Sequence, residues 1–471
     1  MNIIFRVDSS KEIGAGHSMR CYALAEEFLR NNHKVIFISN SQLDFVKEKL
    51  LSKNIIIEKI KKTAPLEEIE IVIKLLEKYK SNFLILDGYK FDYEYQKKLK
   101  AANTKIVYIT DLKGKYHCDV LICPTPGLKP KDFESEIETK YLLGPKYVLL
   151  RDEILNLKPK TKYRNQIKQI LVSFGASFFD EDCYKKIIDL IEYNYKNCFV
   201  NFLAGSEENA KRIKKLLTEE KNKYEILLPK DVNSKLYSKI DLAFTTASTT
   251  MWELLYLKIP IVCFYTTDNQ KGNAEWLGRN KYAINLGDIR NKIKNIKIIQ
   301  KNKININFKT KGEIYFQILQ LLSNIKFYKG TIKDCKFIWE LRNSENIRKW
   351  SFNREYIPYS KHKIWYKEKI NNKDTIYYIL LKDNKKIGYI RYDINQKGEA
   401  ETNIAINENY QGQNIGSILL ILTQIHFKKN NRIKKIIAKI KRENKASIRC
   451  FEKAGYKKIK SNQPKIIIMN I

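Results

Sequence analysis

The chain has 471 residues, 88 Lys and Arg against 52 Asp and Glu, and a formal net charge of +36. At about 150 residues per domain this length points to roughly three domains. No run reaches the roughly 20 apolar residues of a membrane span, and Arg6, Asp8 and Lys11 stand where a signal peptide would carry its apolar core, so a cytoplasmic chain with no membrane partner is expected.

A basic field attracts polyanions. Here, however, the lysine excess accompanies Ile and Asn along the whole chain, as in RNKIKNIKIIQKNKININFKTKG, with no Arg-rich stripe. A nucleic-acid partner is therefore not expected, whereas a small anionic substrate fits the same field. The eight cysteines (21, 118, 123, 183, 198, 263, 335 and 450) form no CxxC pair and the five histidines are scattered, so neither a zinc cage, a disulfide framework nor any other metal site is expected.

In chain order, NIIFRV, HKVIFIS, FLILDGY, KIVYITD and DVLICPT alternate with amphipathic segments, the pattern of βαβ units on a doubly wound parallel sheet. The pattern restarts at QILVSFGAS and continues through CFVNFLAG, YEILLP, DLAFTTAS and IPIVCFYT. Two such Rossmann-like halves, expected at 1–155 and 156–327, would hold a ligand in the cleft at their strand C-terminal ends. Asp288 to about Gly312 is rich in Lys and Asn and is read as irregular. An α+β domain is expected at 328–471. It comprises helical KDCKFIWELRNSENIRKW, a strand pair in IYYILLKDNKKIGYIRYD turning at Asp383-Asn384, the strand ETNIAIN and a long helix after Gly416.

Within VDSSKEIGAGHSMRCYALAEEF, Cys21, Leu24, Ala25 and Phe28 fall on one helix face, so Gly14, Gly16 and His17 occupy a strand-to-helix turn. Free N–H groups and the positive helix end favour a phosphate there, and His17 suits general-base work; the plainer reading makes it a helix cap. Asp87 and Asp111 end predicted strands at the same cleft edge. As turn formers or caps they stay outside the expected catalytic set.

FRVDSSKEIGAGHSMR, YLLGPKYVLLRDEI, ASTTMWELLYLKIPIV and TDNQKGNAEWLGRNKYAINLG, in this order, resemble the UDP-sugar hydrolases of the pseudaminic acid pathway over about residues 1–325. The resemblance implies the glycosyltransferase B fold with water as acceptor, and inverting removal of UDP from a 2,4-diacetamido-2,4,6-trideoxy-altropyranose. It implies His17 as general base, with Arg6, Asp8, Gly16 and Arg20 framing it. Glu253 would accept from the ribose hydroxyls, Ser248, Thr249 and Thr250 would meet the diphosphate, and Asn269 and Gln270 would contact the nucleotide sugar. The Ser/Thr run also reads as an N-cap, compatible with that role. Ala176, Phe178, Leu112, Cys123 and Pro124 depart from the family pattern.

NYQGQNIGSILL and NKASIRCFEKAGYKK resemble the two signature segments of GCN5-related N-acetyltransferases. The resemblance implies acetyl-CoA as co-substrate, held by Gln411, Gly412, Asn414, Gly416, Ser417, Asn444 and Ser447; Asn414 replaces a glycine of the loop. Phe451 stands where a tyrosine acid is common, so the acid/base group is unassigned. WELRNSENIRKWSFN and SKHKIWY resemble acceptor-side segments of the pathway's acetyltransferase and suggest Trp350, His362 and Trp365, which by spacing also read as core. His426 reads as structural. The expected protein acetylates the 4-amino group of a UDP-diamino sugar and hydrolyses UDP from the product. The rival readings are a glycosyltransferase B-type sugar transferase fused to an acetyltransferase, and a non-catalytic basic polyanion binder.

Overall fold

Strands form where β-branched runs were expected and helices where the apolar period is 3.6. The computed structural model describes all residues except 82, 176–178, 218–221, 230, 233, 292–305, 307, 309, 310, 323, 414, 428–432 and 460–464. The departures at Ala176 and Phe178, the loop residue Asn414, the side chain of His426 and most of the Asp288–Gly312 stretch lie outside the described residues. The chain divides into two compact units, Met1–Leu29 with His33–Lys311, and Gly312–Ile471 with Arg30–Asn32.

In the first unit, β1 (Asn2–Val7), β2 (Lys34–Ser39), β3 (Ile56–Lys59), β4 (Phe83–Asp87), β5 (Lys105–Ile109), β7 (Val120–Cys123) and β9 (Lys140–Leu143) form one sheet in the order β3-β2-β1-β4-β5-β7-β9. Every pair is parallel. Two-residue strands β6 (Gly114–Lys115) and β8 (Phe133–Glu134) pair beside it. A second parallel sheet contains β10 (Gln169–Ser173), β11 (Phe199–Leu203), β12 (Lys223–Leu227), β13 (Leu242–Thr246), β14 (Ile261–Tyr265) and β15 (Ile284–Asp288), in the order β12-β11-β10-β13-β14-β15. Both orders reverse beside the first strand, between β1 and β4 and between β10 and β13, and such reversals open a crevice at the strand C-terminal ends.

Both faces of the second sheet are covered, which is why its strands read as continuous apolar runs. Leu171, Ala243, Ile261 and Cys263 pack on one face, Ile170, Val172, Phe244 and Val262 on the other. In the helix Gly16–Arg30, Cys21, Leu24, Ala25 and Phe28 are fully buried. At about 1.5–3 kcal/mol per buried large apolar side chain, Leu24 and Phe28 pin this helix, and with it the loop that precedes it.

The second unit is a mixed sheet of β16 (Ile325–Lys329), β17 (Thr375–Lys382), β18 (Lys385–Ile394), β19 (Glu399–Ile406), β20 (Lys435–Lys441), β21 (Lys457–Ile459) and β22 (Ile466–Asn470), in the order β16-β17-β18-β19-β20-β22-β21. The boundary expected at 327/328 falls inside β16, which pairs antiparallel with β17; the third segment therefore starts earlier than its sequence suggested. Asp383 and Asn384 both have positive φ, 49° and 61°, the turn geometry that matches the twist of a two-residue hairpin. β19 pairs parallel with β20 only from Glu399–Lys435 to Glu401–Ile437, although both strands run on, so the sheet parts beyond that point.

Candidate active sites

In the first unit a cleft of about 640 Å³ is lined from both sheets, by residues that include Gly16, His17, Arg20, Tyr89, Asp111, Arg151, Ser248, Thr249, Thr250, Glu253, Asn269 and Gln270. The loop after β1 folds back on itself, with Gly14 N–H donating to Ser10 C=O at 2.8 Å and Gly14 at φ 75°. It delivers His17 into the first turn of the following helix. His17 Nδ1 lies 2.6 Å from Asp87 Oδ1, at the end of β4. A carboxylate acceptor at that distance fixes the tautomer with the proton on Nδ1, which leaves the lone pair on Nε2.

Arg20, one turn further on, donates from Nε and Nη2 to Asp87 at 2.6 and 2.7 Å and from Nη1 to both oxygens of Asp111 at 2.7 Å. Burial opposes the charge on Asp87, but Arg20 and His17 outweigh it and hold this fully buried carboxyl below its ordinary range. Burial likewise opposes the charge on Arg20, and Asp111 and Asp87 overcome it, so its guanidinium stays protonated. The Tyr89 ring meets the imidazole edge-on at 4.9 Å, and its hydroxyl accepts from Asn269 Nδ2 at 2.9 Å. Asp87 and Asp111 are thus partners of the histidine cluster rather than turn formers. Their placement at adjacent strand ends was legible in the sequence; their pairing with His17 and Arg20 was not.

Across the cleft, the helix Thr249–Tyr256 starts after N-cap Ser248, and the cap reading is realised in its backbone only, since the Ser248 side chain bonds Thr246 Oγ1 at 2.9 Å. A methyl group on Gly16 would lie 3.2 Å from Thr249 Oγ1, so the starts of the two helices converge. Neither helix has an acidic residue in its first turn. Two uncompensated positive helix ends facing one space form a setting for a phosphate. Glu253 accepts from Arg151 Nε at 2.7 Å and Nη2 at 2.8 Å, and Arg151 also pairs with Glu153. Burial opposes the Arg151 charge, and Glu253 raises its pKa above the usual arginine value. With two of its four acceptor sites used, the Glu253 carboxylate keeps two for a ligand. Arg151 carries no sequence signal of this role beyond its place in YLLGPKYVLLRDEI. Gln270 Oε1 accepts from Thr266 N–H at 3.3 Å, and Asn269 and Gln270 stand in the first turn of the helix Asp268–Arg279.

Arg6 and Asp8 depart from expectation. Arg6 is fully buried and bonds Asp8 at 2.6 Å and Glu68 at 2.9 Å; Lys90 reaches Asp8 at 2.9 Å and Glu68 at 3.1 Å. Neither lines the cleft, and their bonds run to a different set of side chains from those of His17. The alternation of β1 turns Arg6 away from the loop it was expected to frame. Leu112 is 38% exposed, Cys123 is buried, and Pro124 lines the cleft.

In the second unit Gln411 Nε2 donates to Ile406 C=O at 2.8 Å and Gly412 has φ 77°, which a side-chain-bearing residue adopts at a cost. A Cβ on Gly416 would sit 2.8 Å from Cys450 Sγ, and Ser417 Oγ donates to Cys450 C=O at 3.0 Å, so the helix Ile415–Phe427 packs against the helix Lys445–Lys453 at close range. Asn444 caps the latter, accepting from Ser447 N–H at 3.0 Å. Phe451 is buried. His362 is 2% exposed and stacks on Tyr366, while Trp365 packs on the same core; burial, then the Arg342 charge, pushes the His362 pKa down to about 4. The core reading therefore describes His362 and Trp365. Among the described residues no group of three or more His, Cys, Asp or Glu could hold a metal ion, and no helix is long and apolar enough to cross a membrane.

The Acetyltransferase (GNAT) family matches residues 338–456. The C-terminal unit has a GNAT-type acetyltransferase fold. Over 98% of both chains the protein is 26% identical to an uncharacterized protein of Methanocaldococcus jannaschii. Over 60% of this chain and 98% of the relative it is 23% identical to the UDP-2,4-diacetamido-2,4,6-trideoxy-beta-L-altropyranose hydrolase of Campylobacter jejuni. Among solved structures, a domain from Methanocaldococcus jannaschii covers 31% of this chain and 97% of its own at 23% identity and a TM-score of 0.29. An aminoglycoside acetyltransferase in complex with coenzyme A covers 31% and 94% at 19% identity and a TM-score of 0.28.

Proposed function

We propose that this chain is a bifunctional nucleotide-sugar enzyme of pseudaminic acid biosynthesis. Its GNAT unit transfers acetyl from acetyl-CoA to the 4-amino group of a UDP-linked diamino sugar. Its first unit, read as a glycosyltransferase B fold of two Rossmann-like halves, hydrolyses UDP from the resulting UDP-2,4-diacetamido-2,4,6-trideoxy-β-L-altropyranose.

The observation that carries the hydrolase reading is the His17–Asp87 pair, in the first turn of a helix whose start converges with that of the helix Thr249–Tyr256. His17 Nε2 takes a proton from water, whose oxygen attacks the anomeric carbon opposite the diphosphate. The C1–O bond breaks and UDP departs with the electron pair, so the sugar is released with inverted configuration. The helix ends at Gly16 and Thr249 stabilise the charge growing on the diphosphate, Asp87 stabilises the imidazolium, and Glu253 receives the ribose hydroxyls. Asn269 and Gln270 contact the nucleotide sugar. In the GNAT unit the amine attacks the acetyl carbonyl and the thiolate of coenzyme A leaves; Gln411 to Ser417, with Asn444 and Ser447, hold the cofactor arm.

The test is UDP release by the intact chain from the UDP-4-amino sugar, with and without acetyl-CoA. Release that needs acetyl-CoA and vanishes in His17→Ala is expected. UDP that stays attached to a chemically acetylated substrate would overturn the hydrolase reading.

A further inference from the structure

The mouth of the GNAT sheet is crossed by a short basic helix, Glu345–Trp350. At one end Asn346 Nδ2 reaches Gln411 Oε1 at 3.5 Å, just beyond β19. At the other, Lys441 on β20 donates to Ser351 C=O and, at 3.4 Å, to Lys349 C=O. The helix thus spans the gap that opens where β19 and β20 part beyond Glu401 and Ile437.

Positive charges on this helix, on the preceding helix Cys335–Asn343 and on β20 are poorly matched. Arg348 Nε and Arg342 Nη1 are both buried with no hydrogen-bond partner, and Arg342 spends Nη2 on Asn353 C=O at 2.6 Å. Burial and the nearby Arg348 charge both pull the Arg342 pKa down, and Tyr389 only partly offsets them. Lys441 is similarly disfavoured by burial and by Arg354, with Glu443 acting the other way. Leaving a buried charged donor unpaired costs more than an ordinary hydrogen bond returns, so two such donors held together gain by meeting an acceptor that carries charge. Guanidinium groups pair with phosphate by parallel N–H donors, and two of them match the charge of a diphosphate. Phe352 and Tyr356, 56% and 55% exposed, follow directly along the chain and offer faces for a base to stack on.

We infer that Arg342 and Arg348 form a diphosphate subsite on the acceptor side of the GNAT unit, which selects an amine linked to a nucleoside diphosphate over a free amino sugar or a polyamine. The inference rests on the acetyl-transfer reading for its chemistry, but not for its binding. Coenzyme A has a pyrophosphate of its own, whose expected place is the Gln411–Ser417 turn, so the experiment must separate the two.

UDP is titrated calorimetrically into the full-length chain with saturating coenzyme A, and acetyl transfer is followed by thiol release in a His17→Ala background that keeps the nucleotide sugar intact. Two UDP per chain are expected, falling to one in Arg342→Gln and Arg348→Gln, while Glu253→Ala removes the other. In Arg348→Gln the KM for the UDP-amino sugar should rise about 10- to 100-fold, the worth of a charged hydrogen bond. Arg348→Lys should recover part of it, and KM for acetyl-CoA and turnover of the free amino sugar should hold. A single UDP in the wild type, or equal losses on the free and nucleotide-linked amines, overturns the subsite. Two UDP falling to one with no acetyl transfer to any amine keeps the subsite and overturns the acetyl-transfer reading.

Discussion

At the scale of single residues, the site proposed for hydrolysis depends on a carboxylate whose sequence context is that of an ordinary strand end. Asp87 has no exposure to solvent, and its two oxygens are divided between His17 and Arg20. Asp87→Asn keeps the shape but loses the charge that orients the Nδ1 proton and stabilises the imidazolium. We expect kcat for UDP release to fall about 10²- to 10⁴-fold with KM little changed, measured on pre-acetylated substrate. Asp8 makes a different prediction because its work is structural. Burial opposes its charge, but Arg6 and Lys90 hold its pKa down at about 2, against an ordinary 3.8. A carboxyl depressed in the folded state stabilises above its unfolded pKa, and that stabilisation is lost as pH falls through the folded one; here the window runs from about pH 4 down to 2 and is worth about 2 kcal/mol. Asp8→Asn should lower the urea midpoint at pH 7, and its deficit against wild type should shrink toward pH 2. A deficit constant across that range would refute the assignment.

At the scale of elements, function depends on how closely helices approach one another. Gly416 is required because its helix runs against Lys445–Lys453 with no room for a methyl group beside Cys450. Gly416→Ala should raise KM for acetyl-CoA, since the turn proposed to receive the cofactor must shift, and Cys450→Ala in the same chain should restore much of it by vacating the contact. UDP release from pre-acetylated substrate should be untouched. Kinetics on the single and double variants decide this, and an additive loss in the double variant would show that the contact is not the cause. The hairpin at Asp383-Asn384 was legible for a local reason, as both residues tolerate positive φ. The start of β16 was not, because pairing with β17 is a long-range choice that the local sequence does not announce.

At the scale of the whole molecule, the net charge of +36 attracts small anions, the proposed nucleotide sugar among them. Raising ionic strength from about 0.05 to 0.5 M should increase KM for the UDP-sugar several-fold with kcat held, because screening weakens capture but leaves the buried Arg20–Asp87 contacts intact. Stopped assays over a salt series measure it; a fall in kcat at constant KM would count against capture. The sequence by itself determined the parallel strands of the first unit, the hairpin at Asp383-Asn384 and the helix carrying His17, because periodicity, β-branching and positive φ act within a few residues. Only the tertiary structure decided that Asp87 and Asp111 join His17 and Arg20, that Arg151 grips Glu253, and that Arg6 and Asp8 belong to a separate buried network. Those partners lie 62 to 102 residues apart along the chain, save Arg6 and Asp8, which are two apart. Which ion meets which is set by strand order and side-chain direction, and no local pattern in the sequence encodes either.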